Sequence, residues 1–149
     1  MANDIFGDLQ SWVRVLDHME RLASEGTLDH HQRGLARVLR YPFNWRLRQA
    51  ALRNAGLLKE PSEEVVEVVL RILRNDHGDI ENRILAGDAL ASMMSNGAAV
   101  SMSDATRCRI AESFERLLEA AEPPVLHDAA ERWQQQLKEA AGVAGTAAK

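Results

Sequence analysis

Ser62-Glu-Glu-Val-Val-Glu-Val-Val-Leu-Arg-Ile-Leu-Arg74, followed by Asn75-Asp-His-Gly-Asp79 and Ile80-Glu-Asn-Arg-Ile-Leu-Ala-Gly-Asp-Ala-Leu-Ala-Ser-Met-Met94, reads as two antiparallel helices joined by a tight turn. Behind the Pro61-Ser62 start, Val65, Val66, Val69, Leu70, Ile72 and Leu73 recur at the spacing of a helix face. Ile84, Leu85, Ala86, Leu90, Met93 and Met94 do the same in the second half. The residues between the halves tolerate left-handed or side-chain-bonded backbone. A lone helix pair cannot bury both of its apolar faces, so further copies of the unit are expected on either side.

An upstream copy emerges when Arg37-Val-Leu-Arg40 is laid over Arg71-Ile-Leu-Arg74, an offset of 34, with Arg116-Leu-Leu-Glu119 a further 45 residues on. After each come a short turn and an alanine-rich helix: Leu47-Arg-Gln-Ala-Ala-Leu-Arg-Asn-Ala-Gly56, Asn82-Arg-Ile-Leu-Ala-Gly-Asp-Ala-Leu-Ala91 and Leu126-His-Asp-Ala-Ala-Glu-Arg-Trp-Gln-Gln135. The pattern resembles the HEAT-repeat family, whose second helix tends to read Val-Arg-x-Ala-Ala-x-x-Ala-Leu-Gly. The first copy matches it well, and Arg83, Ala86, Ala89 and Leu90 fall in register in the second. The third keeps Ala129 and Ala130 but has His127 in place of the arginine and Trp133 in place of a small residue. Family members commonly carry an aspartate in the turn ahead of that arginine, and Asp76 or Asp79 before Arg83 resembles it. The resemblance spans roughly residues 29 to 140. It implies an all-α fold, a short right-handed α-solenoid of about three HEAT-like helix pairs, and specifies no activity.

Composition agrees with helices. Alanine, leucine, arginine and glutamate dominate, and aromatics make up only 5% of the 149 residues. A chain of this length buries about 70% of its unfolded surface, enough for one core without disulfides. Cys108 stands alone, which excludes an internal disulfide and favours a reducing compartment. No apolar run is long enough for a bilayer, and Met-Ala-Asn-Asp-Ile-Phe lacks the basic and apolar regions of a secretion signal, so a cytoplasmic location is expected.

Along the chain, a capping helix over 4–24 carries Ile5, Leu9, Trp12, Val15, Leu16, Met19 and Leu22 in one stripe and stops at Gly26. Repeats follow at about 29–58, 62–97 and 101–141, giving one helical-repeat domain over 1–141 and a disordered tail over 142–149. Seven helices are expected in all. Asp29 and Gln32 have the spacing of a capping box for the second helix, Pro42 ends it, and the third helix spans about Asn44 to Leu58. Ser101 and Ser103 both offer caps for the sixth helix, the former fitting the capping box better.

Charge is the most informative functional feature. Between His30 and Lys59 lie Arg33, Arg37, Arg40, Arg46, Arg48, Arg53 and Lys59 and no carboxylate, within a chain of net charge -4. The turn Tyr41-Pro-Phe-Asn-Trp45 interleaves aromatics with these arginines. One reading pairs the arginines with acids on neighbouring helices and plugs the core with Phe43 or Trp45. The other makes an exposed patch of Arg37, Tyr41, Trp45, Arg46 and Arg48 for a protein partner with an acidic surface. A nucleic-acid-binding module using the same basic repeat is the alternative. The acidic total argues against a general nucleic-acid binder, and no membrane partner is expected.

No catalytic constellation, cofactor motif or metal-ligand spacing stands out, so the expected role is a non-catalytic adaptor, scaffold or regulatory subunit. His30 and His31 project in different directions on a helix, Asp128 and Glu131 read as solvated, and Cys108 lies between Arg107 and Arg109. With offsets of 35 and then 44 in the second helices, Arg53, Asp88 and Arg132 fall in one column, which predicts either a ladder of alternating charge with Asp88 paired to an arginine or an exposed, solvated Asp88. Ala50, Ala51, Ala86, Ala129 and Ala130 are expected at close helix contacts.

Overall fold

The computed structural model describes residues 4–120 and 122–147, and over them the chain is all-helical. The helices are α1 (Trp12–Glu25), α2 (Gln32–Arg40), α3 (Trp45–Ala55), α4 (Glu63–Arg74), α5 (Ile80–Ser95), α6 (Asp104–Glu119) and α7 (Pro124–Ala147), with short 3-10 turns at Leu28–His31 and Ala98–Ser101. α2 packs on α3, α4 on α5 and α6 on α7. In addition α2 touches α4 and α4 touches α6, while α3 touches α5 and α5 touches α7. The first helices of the pairs thus form one row and the second helices another. α1 lies against α3.

Side-chain caps start α3, α4, α5 and α6. Asn44 accepts from Arg46 and Leu47 N–H, Ser62 from Val65, Asp79 from Asn82 and Ser103 from Thr106, each satisfying amides that a helix start leaves free. Ser103, and not Ser101, therefore caps α6. Between the rows, Leu47, Leu52, Leu70, Leu73, Leu90, Phe114 and Trp133 are among the fully buried side chains. Burying each large apolar group contributes about 1.5–3 kcal/mol, which is what makes the rows adhere. Ala50, Ala51, Ala86, Ala129 and Ala130 are all buried, and Gly56 lets α3 approach to 3.2 Å between its ideal Cβ position and the Ala89 Cα of α5.

Three boundaries differ from the sequence reading. α1 begins at Trp12 and not near Asp4. Asp4 and Asp8 each accept, at 3.0 Å, from the backbone N–H two residues on, and Gly7 takes φ 63, so short acidic side chains win over the helix there. Phe6 and Leu9 are buried as a result, Phe6 lying where a Cβ on Gly34 would come within 2.7 Å of its ring. Asp29 and Gln32 do not form a capping box at α2. The Asp29 carboxylate accepts from Lys59 and Glu60 N–H, and Gln32 accepts from Ser62 N–H at 2.6 Å and donates to Glu60 O at 2.8 Å, so both residues fasten the entrance of α4. Finally, α7 continues past Gly142 to Ala147, where the alanine-rich sequence continues a helix at little cost. Of the tail expected to be disordered, positions 148 and 149 lie outside the described residues.

Candidate interaction surface

The basic first repeat divides into arginines held inside the molecule and arginines left at its surface. α2 stops at Arg40 because Tyr41, extended at φ -73 and ψ 114, precedes Pro42. The chain then crosses to the Asn44 cap of α3 with two aromatics turned outward: Phe43 is 81% exposed and Trp45 61% exposed. Neither plugs the core. The Tyr41 ring meets Phe43 edge-on, with centroids 5.4 Å apart. The Arg46 guanidinium lies 5.5 Å from the Trp12 ring centre and 5.2 Å from that of Trp45, within cation-π range of both. A shallow groove lined by Asp8, Leu9, Arg40, Tyr41 and Phe43 flanks this cluster.

Arg37 lines the same groove, with its side chain 31% exposed, but is tied to an acid. Its Nε and Nη2 donate to the two Asp4 carboxylate oxygens at 2.6 and 2.8 Å, and Nη2 also reaches the Gly7 carbonyl at 2.7 Å. Arg37 therefore holds the N-terminal turns onto α2. The hydrogen bond from Arg37 keeps the Asp4 carboxyl below its usual pKa against the opposing effect of burial, and the same bond raises that of Arg37. Arg40 approaches Glu64 at 3.7 Å, both well exposed. Arg33, Arg46, Arg53 and Lys59 are exposed and form no ion pair among the described residues. Arg48 is half-buried. Its Nε donates to the Leu39 carbonyl at 3.1 Å, and burial pulls its pKa down.

The counterpart of Arg48 in the next pair is Arg83, which is 1% exposed. Its Nε donates to the Leu73 carbonyl at 2.8 Å, its Nη1 and Nη2 meet the Glu122 carboxylate at 3.2 and 3.3 Å, and Asp76 lies 3.6 Å from Nη2. Of the two candidate turn aspartates, Asp76 contacts this arginine, whereas Asp79 caps α5. Glu122 was not foreseen from sequence, being 39 positions away with no fixed spacing to mark it.

The ladder takes a different form from the one expected. Asp88 is exposed and accepts a 2.7 Å hydrogen bond from the Trp133 indole Nε1, and among the described residues it forms no ion pair with Arg53 or Arg132, which are both exposed. The substitution of Trp133 at a small-residue position supplies a donor one residue beyond the arginine. Gln136 Nε2, one turn further, donates to Ser95 Oγ at 2.8 Å. Polar contacts do bridge α5 and α7, one from a neutral indole to a carboxylate and one between two neutral side chains, and among the described residues none joins opposite charges.

Other reactive groups are scattered. Cys108 is exposed, and its neighbours Arg107 and Arg109 are engaged by Asp104 and Glu67. His127, Asp128 and Glu131 bring ligand atoms within 4.8 Å of one another, but on the first turns of α7, where the helix dipole disfavours a cation. Among the described residues, no helix is long and apolar enough to cross a membrane. Compared with models of protein families, with curated proteins and with solved structures, the chain matches none.

Proposed function

We propose that this chain is a non-catalytic protein-interaction module, a short α-solenoid of about three HEAT-like helix pairs that serves as an adaptor or regulatory subunit. Tyr41, Phe43, Trp45 and Arg46 form the contact surface, with Arg48 beside them and Trp12 beneath Arg46. The observation that carries this reading is the exposure of Phe43 and Trp45 next to Arg46, which has no carboxylate partner among the described residues. Large apolar side chains that a monomer leaves in water, set beside arginine, have the composition of binding hot spots. The surrounding acidic chain makes the patch the basic exception, which suits an acidic partner protein.

The test is a pull-down from native cell extract with the full chain and with a Trp45→Ala, Arg46→Glu variant, each with and without nuclease. Proteins captured by the wild type after nuclease treatment and absent from the variant, with both proteins melting alike, are the expected result. Capture that depends on nucleic acid would transfer the surface to the nucleic-acid reading.

A further inference from the structure

Arg48 and Arg83 hold the same place in consecutive helix pairs. Each is the fourth residue of its helix, counted from Trp45 and Ile80, and each donates Nε to the last-but-one carbonyl of the helix before, Leu39 or Leu73. Beyond that bond they differ. Arg83 is closed over by the Glu122 carboxylate, which meets both of its terminal nitrogens, and by Asp76. Arg48 has neither acid. Pro42 stands where Asp76 does, two residues past the preceding helix, and Gly78 stands where Glu122 does, two residues before the next second helix. Among the described residues no carboxylate pairs with Arg48.

A guanidinium stays charged at any physiological pH, so partial burial without a counter-charge carries a desolvation cost. The C-terminal dipole of α2 and the Leu39 carbonyl offset part of it. The remaining donors lie on the helix that carries Trp45 three residues earlier.

We propose that Arg48 is a carboxylate-receiving subsite. An aspartate or glutamate in a peptide segment of the partner protein takes on Arg48 the place that Glu122 takes on Arg83, while apolar side chains of the same segment cover Phe43 and Trp45. Glu122 shows within this molecule which group complements an arginine in that position: a planar carboxylate meeting the terminal nitrogens. The net charge of -4 disfavours a polyanion such as nucleic acid more than a single acidic side chain. The inference rests on the interaction-surface reading above.

The test selects phage-displayed random peptides on the full chain, then measures synthetic peptides of the enriched sequences against the wild type, Arg48→Gln and Trp45→Ala. Enriched peptides carrying Asp or Glu beside apolar residues are expected. Arg48→Gln should weaken them at least about tenfold, as should replacing the peptide acid by its amide on the wild type, and the two losses should not add. The peptide-side change requires no folded variant. Enrichment without acids, or an acid worth the same on the wild type and Arg48→Gln, overturns the carboxylate subsite alone. Absence of any enriched peptide sensitive to Trp45→Ala overturns the interaction surface itself. Binding of a single-stranded or duplex oligonucleotide that is lost in Arg48→Gln overturns the proposal in favour of phosphate.

Discussion

Trp133 grips α5 at two neighbouring residues: its indole Nε1 donates to the Asp88 carboxylate at 2.7 Å, and its six-membered ring covers Gly87, where a Cβ would collide with it. The ring is buried and tilts against Phe114 at 5.2 Å, so it has no free direction in which to retreat. Gly87→Ala should therefore destabilise the protein. The helix-propensity gain of about 1 kcal/mol is outweighed by an overpacking cost of about 1–3 kcal/mol. Thermal unfolding should show a lower Tm. A raised Tm would mean that the indole can swing aside.

Asp88→Ala should cost about 1 kcal/mol, since it leaves the buried indole N–H without its acceptor, while Asp88→Asn keeps an oxygen and should stay close to wild type. Double-mutant cycles measured by denaturant unfolding separate this from a charge ladder. Asp88→Ala should couple to Trp133→Phe and add with Arg53→Ala and Arg132→Ala. Coupling to either arginine would restore the ladder.

The burial of Arg83 sets a ranking. Arg83→Ala should cost about 3–5 kcal/mol, because Glu122, only 13% exposed, is left without its counter-charge. Glu122→Gln retains one oxygen acceptor and should cost about 1–3 kcal/mol. Arg48→Ala, which strands no acid, should cost least of the three. Urea denaturation checks the order, and an Arg48→Ala loss equal to that of Arg83→Ala would contradict the difference in their surroundings.

The Asp4–Arg37 pair makes stability depend on pH with a definite sign. The Asp4 pKa is lowered in the folded state, so its contribution is present above the unfolded carboxylate pKa of about 3.9 and is lost as pH falls through the lower folded value. Asp4→Asn should therefore be less stable than wild type at pH 7, by about 1 kcal/mol for a partly exposed pair, and the two should converge once the pH has fallen through the lowered folded pKa. A difference that persists unchanged into acid would contradict the ionised carboxylate as its source.

Local features were legible in the sequence and distant ones were not. Apolar spacing located α2 to α7, and the Asn44 and Ser62 caps follow from residue type at a helix start. Ile5, Leu9 and Trp12 mimic a helix stripe equally well, but the Asp4 and Asp8 turns, visible only as competing local hydrogen bonds, override it. Trp45, Arg46 and Arg48 stand among the surface candidates of the charge block, while the competing reading has Phe43 or Trp45 plug the core. Both rings are exposed, and Trp12 of the apolar stripe packs against the core, partly buried, with Arg46 over its ring. The ion pair of Arg37 was not legible, for a reason that applies to every pair of this kind. Its partner Asp4 is 33 residues away, and nothing in helical periodicity links the two.

The fastening of Lys59, Glu60 and Ser62 by Asp29 and Gln32 closes a loop of roughly thirty residues with hydrogen bonds at its neck. The connector between α3 and α4 is exposed at Lys59 and Glu60, yet its amides point into side chains from the far end of the preceding helix pair. Their release requires that pair to part from the entrance of α4. In hydrogen exchange these surface amides should consequently exchange slowly, in step with the interior of α2 and not with other exposed loops. The first pair and the start of the second are thereby expected to unfold as one cooperative block, and a cut in the chain at residue 60 is expected to yield no independent unit on either side.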